Sequence, residues 1–154
     1  MPIPYLLVIL IYAIVGLLSA IDASLVSLNV FNVFPALRWM RVHFVTLGIL
    51  SQTIFGLLPT LVASFSKKPR PPMRWDIWLL LNAGLVVLIG GFGGIIQPVI
   101  FIGGALVFAA VILLAIELVS LRDASPASLK FYLTALAFLL VGIIIGTGLY
   151  LGWS

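Results

Sequence analysis

Cysteine is absent from the 154 residues, and histidine occurs once, at position 43. Without thiolates the chain builds no disulfide, no iron–sulfur cluster and no cysteine-ligated zinc site of its own. One imidazole does not supply a multi-histidine metal site either. Charge is scarce as well: Asp, Glu, Lys and Arg make up 8% of the chain, against about a quarter in soluble domains. There is no Ser-His-Asp arrangement, no HExxH signature and no P-loop, and the glycines at 90 to 94 lack the strand and lysine of a phosphate cradle. These absences point away from the usual chemistries of soluble enzymes.

What the chain has instead is apolar surface. Hydrophobic residues make up 64% of it, and the mean hydropathy is +1.35. A water-soluble protein of this size could not bury so much. The net charge of +4 then reports topology rather than nucleic-acid binding, because the basic residues gather where apolar runs end. Crossing the hydrocarbon takes about 20 apolar residues as a helix, with every backbone polar group satisfied internally. Runs of that kind predict an all-α integral membrane protein, a bundle of five transmembrane helices in a single domain.

The helices are expected at about 3–26, 36–65, 75–91, 99–121 and 129–151. No basic residue precedes the first run and no clean cleavage site ends it, so it reads as a retained helix rather than a signal peptide. Asn29, Asn32 and Pro35 mark the turn after it. The second run is long enough to tilt or to kink at Pro59. SKKPRPPMRW, residues 66 to 75, is an aqueous loop, with Trp75 and Trp78 in interfacial positions after it. GGFGGIIQP is expected to turn between the third and fourth helices, and RDASPAS between the fourth and fifth.

Lys67, Lys68, Arg70, Arg74, Arg122 and Lys130 fall on one side of such a bundle and only Arg38 and Arg41 on the other. The positive-inside rule puts the N-terminus in the cytoplasm and the C-terminus outside, in a cell membrane, most simply a prokaryotic plasma membrane. Small residues predict close helix contacts: Gly48, Gln52 and Gly56 on one face of the second helix, Gly103, Gly104, Ala105, Ala109 and Ala110 on the fourth, and a Gly142/Gly146 GxxxG pair on the fifth. Asp22 is expected to pair with Arg38 or Arg41. Glu117, about a turn inside the fourth helix, is expected to reach the headgroups and pair with Arg122, Arg74 or Lys130.

His43 is the remaining candidate for chemistry. It begins the stretch H-x-x-x-L-G-x-x-x-x-T-I-F-G, formed by His43, Leu47, Gly48, Thr53, Ile54, Phe55 and Gly56. Neutral imidazole is a common ligand of haem iron and other metals, and Arg38 and Arg41 just upstream suit the carboxylates of a tetrapyrrole. Residues 41–56 resemble a helix of the catalytic subunits of haem-copper oxidases and nitric oxide reductases, where a histidine near the outer face of the second helix is an axial ligand of the low-spin haem. The chain departs from that family in having five helices and none of its further histidines. The resemblance therefore implies a small relative or accessory subunit of a respiratory complex, binding one haem b with His43 as the metal ligand. The second axial position would be open, filled by Met40, or supplied by another membrane subunit or a second copy of the chain.

Two other classes of function remain. One is a small oligomeric transporter or channel subunit, with Gln52, Thr53, Asn82 and Glu117 lining a path. The other is a membrane scaffold without a ligand.

Overall fold

The computed structural model describes residues 1–27, 42–94, 96–121 and 127–150. Among these residues there is no strand. The elements are α1 (Ile3–Ser27), a π-helical segment (Phe44–Leu50) continued without a break by α2 (Ser51–Phe65), then α3 (Trp75–Gly94), α4 (Gln97–Leu121) and α5 (Ala127–Tyr150). Four stretches are long and apolar enough to cross a membrane: Ile3–Leu25, Phe44–Phe65, Gln97–Leu121 and Leu129–Gly146. A shorter apolar helix, Trp75–Gly91, accompanies them. The chain is an all-helical membrane protein.

The surface explains why hydrocarbon suits it better than water. On α1, Ile3, Leu6, Leu7, Leu10, Ile11, Ile14, Leu17, Leu18 and Ile21 are all at least half exposed. An unbroken apolar surface of this kind marks contact with lipid or with another protein. Hydroxyl and amide side chains within the helices fold back onto their own backbone. Ser19 Oγ donates to Gly16 O at 2.8 Å, Thr46 Oγ1 to Val42 O at 2.8 Å and Thr53 Oγ1 to Ile49 O at 2.8 Å. Such bonds let a polar side chain sit in a helix at membrane depth without an unsatisfied donor.

Two compact units are present, Met1–Gly56 and Leu57–Ser154. In the first, α1 packs against the start of the second apolar stretch through Gly48 and Gly56. A Cβ on Gly56 would come within 3.0 Å of Met1 and Tyr5 side-chain atoms, and one on Gly48 would meet the Tyr12 ring. Gln52 is fully buried between them in sequence, so the expected Gly48/Gln52/Gly56 face is a buried one. Tyr12 also lies against Phe44, with ring centroids 6.1 Å apart.

In the second unit, α3 and α4 form a closely packed antiparallel hairpin. Gly84 approaches the backbone of Val107, Gly103 that of Leu88, and Gly91 that of Ile100, each so closely that an added Cβ would sit 2.7–2.9 Å from a backbone nitrogen. The turn expected over GGFGGIIQP is confined to its second half, between Gly94 and Gln97. Residues 90–94 stay helical and α3 ends only at Gly94, because at Gly91 the missing side chain lets the two helices touch instead of allowing the chain to turn. Among the described residues the expected GxxxG contact does not form: a Cβ on Gly142 or Gly146 would meet nothing within 4 Å.

The second apolar stretch is irregular at its start rather than at Pro59. α2 runs unbroken from Ser51 through Pro59 to Phe65. It closes with the paired bonds of a Schellman cap, Lys68 N–H to Ala63 O at 2.8 Å and Lys67 N–H to Ser64 O at 3.1 Å. The cap puts Lys67 in the left-handed region, at φ 53°. Glycine is the usual residue there; here a lysine accepts the strain and places a positive charge at the negative end of the helix dipole.

Candidate functional site

His43 precedes the π-helical segment, with helical backbone angles of φ −76° and ψ −28°, and its side chain does not cap that segment. It is half-buried and directly followed by the buried Phe44. A π-helix closes i→i+5 bonds in place of i→i+4 and fits one extra residue into a turn. At Ser51 the segment gives way to α2: its backbone N–H donates to Gly48 O, and its Oγ lies 3.5 Å from Thr46 O.

The expected companions of His43, namely Arg38, Met40 and Arg41, lie outside the described residues. Asp22 is half-buried on α1, and its expected partners are the same two arginines. Among the described residues no group of three or more His, Cys, Asp or Glu side chains is placed to hold a metal ion. His43 thus offers one imidazole, partly accessible from outside its helix. Of the residues expected around a haem, His43 is the one among the described residues.

The second cluster lies at the start of α3 and the end of α4. Arg74 grips Asp76 with a bidentate fork, its Nε donating to Oδ1 at 2.8 Å and its Nη2 to Oδ2. Both side chains are well exposed, 41% and 51%, so this surface pair contributes at most about 1 kcal/mol. Asp76 gains further from the positive end of the α3 dipole. Trp75 and Trp78 meet edge to face with centroids 5.7 Å apart, and the buried Trp78 Nε1 has no hydrogen-bond acceptor.

Glu117 is 7% exposed on the buried face of α4, which also carries Leu114 and Leu118. The expected ion pairs with Arg74 and Lys130 do not form. Arg74 is committed to Asp76, two residues away, and the Glu117 side chain is buried. Arg122, the third expected partner, lies outside the described residues. Of the four side chains expected to line a path, Thr53 and Asn82 bond to their own helices, Asn82 Nδ2 donating to Trp78 O at 2.8 Å. Gln52 and Glu117 are buried.

Tyr12 and Gly84 are not among the residues singled out from sequence, and Trp78, expected at the interface, has its indole nitrogen buried. Gly84 had a visible signal, lying seven residues before Gly91 and so on the same helix face. Tyr12 and Trp78 had none, since interfacial and core aromatics look alike in sequence. No protein-family model, no curated protein and no solved structure matches the chain.

Proposed function

We propose that the protein is a small haem-binding subunit of a respiratory membrane complex, holding one b-type haem through His43. In this reading the N-terminus is cytoplasmic, the C-terminus lies outside, and His43 sits near the outer face of a prokaryotic plasma membrane. Arg38 and Arg41 meet the haem carboxylates as bidentate forks. Met40, another subunit or a second copy of the chain supplies the other axial position. Bound haem would provide one-electron chemistry. The chain's own part is to present a neutral imidazole, anchor the carboxylates and shield one haem face with the apolar side chains around Phe44.

The observation that carries this reading is the π-helical segment beginning at the residue after His43. Such segments are rare inside α-helices and concentrate at functional sites. Here it starts directly after the half-buried His43 and itself contains the buried Phe44 and Gly48, so the histidine stands at the edge of the packed seam.

The full chain purified in detergent from haem-replete cells is expected to show a haem absorbance band that sharpens on reduction. His43→Ala should abolish the band while circular dichroism still reports the native helix content. A colourless wild-type protein that also fails to take up added hemin overturns the proposal. So does a band that survives His43→Ala.

A further inference from the structure

We propose that Glu117 is a proton-binding site within the membrane, loaded from the water at the end of α4 where Arg74 and Asp76 sit. Ala110, Leu114 and Glu117 are spaced four and three residues apart and share one helix face. Ala110 and Leu114 are completely buried, and Glu117 is 7% exposed. Around the carboxyl the described residues provide no ion pair. The one bond formed at this residue uses its backbone, Ser120 Oγ donating to Glu117 O at 2.7 Å.

A bare carboxylate removed from water in this way costs several kcal/mol, and such a group either finds a counter-charge or takes up a proton. Acids at membrane depth commonly serve proton pathways for that reason. A metal cation is a poorer occupant. Hard cations need six or more oxygen ligands, whereas among the described residues no group of three or more acidic, histidine or cysteine side chains forms around Glu117.

The charged surroundings set the access side. α4 has no other ionisable side chain between Gln97 and Leu121. The antiparallel pairing of α3 with α4, Gly91 beside Ile100 and Gly84 beside Val107, brings the start of α3, with Arg74 and Asp76, toward the end of α4 that carries Glu117. The first turns of α5 carry the exposed Lys130 and the half-buried Tyr132, and the segment before α3 carries Lys67, Lys68 and Arg70. Glu117 lies four residues before Leu121, the last residue of α4, so this end is its short route to water.

The test uses the full chain in lipid nanodiscs and the apolar probe dicyclohexylcarbodiimide, which couples to protonated carboxyls in apolar surroundings. Peptide mapping should locate the label on Glu117 at neutral pH, with labelling lost as the pH is raised and absent from E117Q. Infrared spectra should show a protonated carboxyl stretch that shifts in heavy water and disappears in E117Q. Should E117Q fail to fold, label mapping and the heavy-water shift on the wild-type protein still decide the matter. An unlabelled Glu117 with only carboxylate absorption, as a pair with Arg122 would give, overturns the proposal. A carboxyl stretch that heavy water does not move overturns it too, because the site would then be sealed from water.

Discussion

Gly103→Ala is expected to loosen the α3/α4 hairpin and cost about 1–3 kcal/mol, the usual range for forcing extra volume into a packed contact. The new Cβ would lie 2.7 Å from Leu88 N, 2.8 Å from Leu88 Cγ and 3.0 Å from Gly84 O. Two of those three atoms are backbone, so no rotamer change relieves the clash and the helices must move apart. That separation matters more in a membrane than in water. Apolar helices gain little by leaving lipid for one another, and close backbone approach provides much of their attraction. Gly84→Ala should behave alike, since its Cβ would sit 2.9 Å from Val107 N.

Gly142→Ala and Gly146→Ala provide the contrast. Both glycines face open space in the chain, and alanine is the better helix former by about 1 kcal/mol. Equilibrium unfolding in mixed micelles should rank the hairpin variants well below wild type and the α5 variants at or above it. Equal loss from Gly146→Ala and Gly103→Ala would mean that the hairpin seam is not where close packing matters.

The same glycines show what a sequence discloses about a membrane fold. The apolar runs were legible because hydrocarbon imposes length and composition on anything that crosses it. The expected spans at about 3–26, 99–121 and 129–151 lie within two residues of α1, α4 and α5 at either end. Glycine was ambiguous. Gly90 to Gly94 reads as a turn in water-soluble proteins, whereas here those residues are helical and Gly91 serves an approach that appears only once α4 is placed beside it. The π-helical segment left no trace in sequence, because Phe44–Leu50 holds nothing an ordinary helix would refuse. For Glu117 the distance from the helix end was legible, whereas its burial depends on packing.

Gly48→Ala should be the most damaging change in the first unit. Its Cβ would fall 2.6 Å from Tyr12 Cγ, 2.7 Å from Cδ1 and 3.1 Å from Cβ. These atoms are the root of the tyrosine side chain, which cannot swing aside without moving α1. The ring is also held on its other contact by Phe44, so displacing Tyr12 disturbs the residue next to His43. A loss of about 1–3 kcal/mol is again expected, together with weakened haem retention if His43 is the ligand. Removing the obstacle should restore much of the loss: in a double-mutant cycle, Tyr12→Ala and Gly48→Ala together should cost less than the sum of the two single changes. Leu50→Ala, on the same segment but 54% exposed, should change little. If Gly48→Ala were as mild as Leu50→Ala, the π-helical register would be wrong, since that register is what brings Gly48 against Tyr12.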